Sequence, residues 1–327
     1  MTKLSTKSSS KAPLPKREED GVCYAGLKQL VALQHPVSGF SFLPKQPVNS
    51  ILSGRHGSRL RGRGLNFEEL RHYRPGDDIR TLDWKVTNRT GKPHVRVYSE
   101  EKERPVLILV DQRINMFFGS QVKMKSVLAA ELAALSAWRV LSVGDRVGAL
   151  IFNDTEIKEI RPQRSRNNVM QILHNLVTFN HQLDATASQV QNEGQLNKAL
   201  AEVERISGHD YLIVLVSDMS GWNDETLLRI KRLRQHNDVI ASLIFDPLEE
   251  TLPKAQQLIL SDGNQQIQVD GGKASVGREF QTIFSNHVGY LKKIMAKYDI
   301  PVIPLTTNEP VLEQVRKALG FKMAAKK

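Results

Sequence analysis

The sequence holds one cysteine, Cys23, in 327 residues. A lone cysteine excludes an intramolecular disulfide and any multi-cysteine metal site, and it fits a reducing cytoplasm. Aromatic residues make up only 6% of the chain. Long apolar runs are missing too. The longest, Val106–Val110 and Tyr211–Val216, fall far short of the ~20 residues that cross a bilayer, so no membrane span is expected. The N-terminal MTKLSTKSSSKAPLPK lacks the apolar core of a secretory signal, and residues 1–20 read as a disordered, solvated tail. Catalytic signatures are equally scarce. There is no GxSxG elbow and no HExxH, the nine histidines are scattered, and Cys23 has no activating neighbour pattern.

What the chain has in excess is positive charge, unevenly placed. Residues 1–100 carry 18 Lys and Arg against 9 Asp and Glu; residues 101–327 carry 28 against 26. A basic face can bind phosphates or acidic partners, but a solvated surface with internal ion pairs is the favoured reading. Gly54 to Gly64 packs four glycines and four arginines into eleven residues. It matches neither GxxxxGK[ST] nor the dinucleotide fingerprint, since Phe67 stands where a third glycine would be. No interleaved aromatic residue is there to stack on bases. A flexible basic loop is preferred over a nucleotide site.

Next come Asn66 and Glu69, spaced like the start of a short helix with a loose capping box. Pro75-Gly76 follows, fitting the centre of a type II turn. Around the turn Arg71, Arg74 and Arg80 alternate with Asp77, Asp78 and Asp83, beside Tyr73 and Trp84. Arginine pairs bidentately with carboxylates, so these residues suggest a half-buried structural ion-pair network over an aromatic base. Asp77 and Asp78 as an acid and base pair is the disfavoured alternative. Residues 93–98 alternate like a strand that carries this module to the edge of a larger sheet.

From Arg104 the pattern turns to strands and helices in alternation. Strands are expected at 106–111, 146–152, 211–217, 238–245 and 302–305. Helices are expected at 122–141, 165–180, 195–207, 224–236, 276–299 and 309–319, with a hairpin over 258–269. A short helix within 21–35 places Leu27, Leu30 and Val31 on one face and docks on the body. The fold class is therefore α/β, with a doubly wound, mostly parallel sheet, a small N-terminal β and loop module, and a β-hairpin insertion. The domains read as a tail at 1–20, the helix and module at 21–103, and the α/β domain at 104–327.

Val106-Leu107-Ile108-Leu109-Val110-Asp111 is the most informative strand. It has no polar alternation, so both its faces are buried, and ligands in such sheets sit beyond the carboxyl ends of the strands. Asp111 stands at that end, as do Asp218 and Asp246 after later strands. Carboxylates there suit a hard divalent ion such as Mg²⁺; an aspartate that merely caps a loop is the alternative.

The stretch RGRGLNFEELRHYRPGDDIRTLDWKVTNRTGKPHVRVYSEEKERPVLILVD closely resembles the signature of the bacterial domain-of-unknown-function-58 family. The likeness continues through Phe118-Gly119-Ser120, Lys125, Gly144-Asp145-Arg146-Val147-Gly148 and Leu215-Val216-Ser217-Asp218. The resemblance implies a von Willebrand factor A-like domain preceded by the YRPGDD module. It also implies a partnership with MoxR-type AAA+ ATPases in assembling or activating other proteins. In von Willebrand A domains a metal site uses DxSxS, a threonine and a further aspartate. By this resemblance Asp111 and Asp218 match the aspartates, Arg113 and Asn115 replace the serines, and Gln195 replaces the threonine. Only Asp111, Asn115 and Asp218 are left as tentative metal ligands, so no cofactor is expected, with Mg²⁺ as the minority alternative. Arg113 brings a fixed charge to the metal's place. It can pair with Asp111 or Asp218, or meet an acidic group on a partner, on a rim formed by Asp111, Arg113, Asn115, Gln195 and Asp218.

Three functions remain open. The first, and favoured, is a non-catalytic adaptor that binds a MoxR-type ATPase and an unidentified client protein. The second is nucleic-acid or phosphate binding through the basic 55–74 segment. The third is a metal-dependent hydrolase built on Asp111, Asp218 and Asp246.

Overall fold

The computed structural model describes residues 21–35, 65–100, 104–185, 191–252, 258–261, 266–269 and 274–318. The expected tail, the proline-containing 36–53 segment and the Arg/Gly segment at 54–64 lie outside them. The chain divides into two compact units: Gln46–Glu103, and Met1–Lys45 together with Arg104–Lys327.

The larger unit is built on a six-stranded sheet. Its strands are β3 (Val106–Asp111), β4 (Val147–Phe152), β5 (Ile157–Gln163), β6 (Leu212–Ser217), β7 (Asp238–Phe245) and β10 (Val302–Thr306). They lie in the order β10-β7-β6-β3-β4-β5. All neighbours are parallel except β5, which pairs antiparallel with β4. Every residue of β3, β4 and β6 is buried. Successive side chains point to opposite faces. Val106, Ile108 and Val110 therefore enter one core with α3 (Lys125–Ser142), α4 (Arg166–His181) and α9 (Val311–Ala318). Leu107 and Leu109 enter another with α5 (Gln195–Ile206), α6 (Asp224–His236) and α8 (Ala274–Lys297). Truncating such a leucine to alanine costs about 2–5 kcal/mol.

Two elements of the α/β unit depart from the sequence reading. β5 was not expected: its burial is irregular along the strand and Pro162 lies within it. Edge strands tolerate proline because one side of the ladder is unpaired. The short helix α7 (Pro247–Glu250) is likewise new; Asp246 caps it, accepting from Leu248 N at 2.9 Å.

The helix α1 (Leu27–Ala32) belongs to the larger unit rather than to a 21–103 domain. Ala25 and Leu30 are wholly buried in the first core. Trp138 Nε1 donates to Leu30 O at 3.1 Å, and Ala25 N donates to Asn180 Oδ1 at 2.8 Å. The hairpin is present as β8 (Leu258–Ser261) and β9 (Gln266–Val269) in a sheet of its own.

In the smaller unit β1 (Leu65–His72) pairs antiparallel with β2 (His94–Glu100). The helix expected from Asn66 and Glu69 is thus a strand. Cross-strand pairing, from Leu65 opposite Glu100 to His72 opposite His94, overrides the local capping pattern. The pair forms a separate two-stranded sheet and does not extend the edge of the large one. The turn is as expected: Asp77 N donates to Arg74 O at 3.0 Å, and Gly76 takes φ +103°, a value glycine adopts without a Cβ clash. Asp83 opens α2 (Trp84–Thr90), accepting from Val86 N at 3.1 Å.

Candidate functional site

The chain enters the large sheet at β3, builds β4 on one side and returns to build β6 on the other. The carboxyl ends of β3 and β6 therefore flank the switch point, where such sheets open a crevice. Asp111 ends β3, and Asp218 follows β6.

Asp111 is fully buried and faces a buried cation. Arg113 folds back on it, with Nη2 2.7 Å from Oδ2 and Nε 3.0 Å from Oδ1. The Arg113 backbone N–H also donates to Oδ1 at 3.0 Å, and Ser217 Oγ donates to Oδ2 at 2.7 Å. Arg113 Nη2 makes a further bond to Ser220 O at 3.0 Å. The guanidinium lies 5.5 Å from the centroid of the Phe152 ring. Burial opposes its charge, but Asp111 outweighs burial and raises its pKa above the ordinary arginine value. With 1% exposure, Arg113 does not reach a partner's acidic group; it pairs inward with Asp111.

Asp218 has its own cation. Lys125 Nζ, in the first turn of α3, lies 2.8 Å from Asp218 Oδ2 and 2.7 Å from Glu249 Oε1. Asn115 Nδ2 lies 2.8 Å from each oxygen of Asp218, and Ser220 N donates to Oδ1 at 2.9 Å. Burial would push the Asp218 carboxyl up, yet Lys125 holds it below the usual range. Burial would lower the Lys125 ammonium, yet Asp218 and Glu249 hold it well above the usual lysine range.

Asp246 is turned elsewhere. It accepts from Ser120 N and Oγ, Thr307 Oγ1 and Leu248 N. These donors outweigh burial and keep its carboxyl below the usual range. Its role is to fasten three loops and cap α7.

Gln195 is buried at the start of α5, and its side chain meets Asn192 Nδ2 at 3.4 Å. Asp111, Arg113, Asn115 and Asp218 are brought together; no bond joins Gln195 to them. The turn after Asp218 is unusual backbone. Met219 takes φ +60°, and its N–H donates to Ser217 Oγ at 2.9 Å. A non-glycine residue in that region costs of order 1–3 kcal/mol and persists where the surroundings fix it. Gly221, at φ +79°, has no room for a Cβ, which would come 2.8 Å from Glu193 O.

Oxygen ligands in this position suit Mg²⁺, but the residues present do not fit it. Each carboxylate already carries a buried cation at hydrogen-bond distance, and a divalent ion would have to displace or repel both. Lys125 and Ser217, which complete this arrangement, were given no role from sequence. A lysine opening a helix reads as solvated, and the signal lay only in the family-matched positions.

Beside the ion pairs opens a cavity of about 770 Å³. Phe117, Phe118, Trp222, Phe245 and Phe284 supply its aromatic lining, and Lys125, Asp184, Asp218 and Glu249 its charges. Phe118 is 37% exposed, and the rings of Phe245 and Phe284 lie 5.5 Å apart.

In the smaller unit Arg71 and Asp77 form a bidentate pair, both bonds 2.8 Å. Asp83 pairs with Arg96, at 2.7 Å, rather than with Arg80. Asp78 caps the 3-10 turn Ile79–Thr81 through Arg80 N. Trp84, expected in an aromatic base, is 63% exposed. Among the described residues these bonds make two pairs and a cap; Arg74 contributes its backbone N–H to Asp77, and Tyr73 its N–H to Pro93 O.

The model of the family described as "Protein of unknown function DUF58" matches residues 69–288. Uncharacterized proteins of Mycobacterium tuberculosis (Rv1480) and Mycobacterium bovis (Mb1516) are each 28% identical over 226 residues, 68% of this chain and 68% of theirs. Among solved structures, conserved hypothetical protein BatB from Bacteroides thetaiotaomicron superposes with a TM-score of 0.41 at 11% identity, over 66% of this chain and 98% of that one. A von Willebrand factor type A protein from Catenulispora acidiphila gives 0.37 at 12% identity, over 69% and 44%. Strand order and burial, rather than these superpositions, define the fold.

Proposed function

We infer function from the premise that the chain belongs to the DUF58 family of unknown function, and we propose that it is a non-catalytic protein-binding adaptor. It works with a MoxR-type AAA+ ATPase on a client protein, on the cytoplasmic side where ATP is available. The observation that carries this reading is the double ion pair, Arg113 on Asp111 and Lys125 on Asp218. A general base needs an accessible carboxylate, and a metal site needs open oxygen ligands. Here both carboxylates are consumed internally, which supports recognition rather than chemistry. The strand ends then form a rigid floor beneath an aromatic cavity, and aromatic anchors carry much of the energy of protein interfaces. With both carboxylates paired to internal cations, the metal site is read as degenerate.

The test is affinity purification of the full chain from cells that encode it, with and without ATP. Recovery of an AAA+ ATPase, reduced by Phe118→Ala, is the expected outcome. Failure to recover such an ATPase in either condition overturns the adaptor reading.

A further inference from the structure

The cavity beside the double ion pair has a chemistry of its own. Five of the chain's 14 Phe and Trp residues line it, a concentration unexpected in a chain so poor in aromatic residues. Among the described residues its lining carries three carboxylates, Asp184, Asp218 and Glu249, against one ammonium, Lys125, with His287 beside them. Lys125 does not offer its charge to a visitor, because it is 2% exposed and bonded to both Asp218 and Glu249. Arg113 is likewise spent on Asp111. Glu249 accepts from Lys125 Nζ and from Asp246 N, each at 2.7 Å, yet its side chain stays 33% exposed to the cavity's opening. Low-dielectric walls focus the field of such a carboxylate excess into the opening. Aromatic faces attract cations as well, and this wall already does so: Lys125 Nζ lies 5.9 Å from the Phe118 ring centroid.

We infer that the cavity binds a cationic side chain, lysine or arginine, from an apolar-flanked peptide segment of a partner. The ammonium or guanidinium sits toward Glu249, and the flanking apolar residues pack on Phe118, Trp222 and Phe284. A volume of about 770 Å³ holds several residues, which favours a peptide over a single free ion. The preference is opposite to that of an open metal site, which takes an acidic ligand to complete the metal's shell. This inference rests on the adaptor reading only in taking the partner to be a protein.

Trp222 reports on the cavity directly. The full-length chain carrying Trp84→Phe keeps Trp222 in the cavity and Trp138 buried in the core. It is titrated with acetyl-Leu-Arg-Leu-amide, acetyl-Leu-Leu-Leu-amide and acetyl-Leu-Glu-Leu-amide while tryptophan emission is followed. The arginine peptide is expected to shift the emission and bind at least tenfold more tightly than the glutamate peptide, less so at high salt. Glu249→Gln narrows that ratio. Because Glu249 also helps cap α7, Phe284→Ala serves as a second variant and weakens the arginine peptide severalfold. Equal binding of the arginine and glutamate peptides, a preference for the glutamate peptide, or no emission change with any of them overturns the inference. None of these outcomes bears on recovery of an ATPase from cells, so the two readings fail separately.

Discussion

Arginine and aspartate pair in both units of the protein, and the two settings use the pair differently. At the end of β3 the side chains of Arg113 and Asp111 are 2% and 0% exposed. In the smaller unit Arg96 and Asp83 are 48% and 8% exposed, and Arg71 and Asp77 are 35% and 18%. A buried pair recovers its desolvation cost only through close geometry and further hydrogen bonds, and losing one partner strands the other charge. An exposed pair is screened and contributes little. The buried pair therefore fixes what the site can be, whereas the part-exposed pairs mainly fix a turn and the start of a helix.

The sharpest way to break this comparison is Arg113→Met. It leaves Asp111 buried with only Ser217 and one backbone N–H. We expect a loss of about 3–5 kcal/mol, read as faster hydrogen exchange of the β3 amides. Adding Asp111→Asn removes the stranded charge and should restore more than half of the loss. A single variant within about 1 kcal/mol of the parent would mean that Asp111 is relieved some other way.

Lys125→Met tests the second pair, with an expected cost of about 3 kcal/mol at neutral pH. Its pH dependence is the more telling feature. In the parent, Asp218 titrates below its ordinary value. Its stabilising contribution is complete above the normal carboxylate range and is lost only as pH falls through the lowered value. Without Lys125, burial dominates and the carboxyl moves up instead. Its charge then destabilises the fold at neutral pH, and protonation relieves the cost. The gap between variant and parent should narrow from pH 7 to pH 5, measured by exchange of the β6 amides. A gap that stays constant would place the compensation for Asp218 with Asn115 and Ser220.

The same contrast explains how much was legible in the sequence. β3 and β6 were readable because unbroken apolar runs mean burial on both faces; β7 shows the same apolar character on either side of Ser242. Asp111 and Asp218 were readable as strand-end carboxylates on one rim, and Arg113 as their competitor. Lys125 was not, because its partners Asp218 and Glu249 lie 93 and 124 residues away and no local pattern encodes such a pairing. The cavity was hidden for the same reason: Phe118, Trp222, Phe245 and Phe284 come from four separate segments. In the smaller unit local patterns misled. Asn66 and Glu69 imitate a helix cap, and only pairing with β2 shows that they lie in a strand. Asp83 follows Arg80 closely in sequence, yet it turns to Arg96 across the sheet.

Asp83 gives the smallest effect and the finest division between pair and cap. Its carboxyl is held below the usual range first by the Val86 N–H and only second by Arg96. Asparagine caps a helix about as well as aspartate but carries no charge. Asp83→Asn should therefore leave exchange of the Val86 and Thr87 amides close to the parent, because the cap survives and the half-exposed pair contributes little. Asp83→Ala removes both and should speed exchange of those amides severalfold while leaving β3 untouched. If the asparagine variant frays α2 as much as the alanine variant, the Arg96 pair outweighs the cap. The exposed pair would then have to be counted with the buried one as a structural determinant, and the division between the two units by burial would fail.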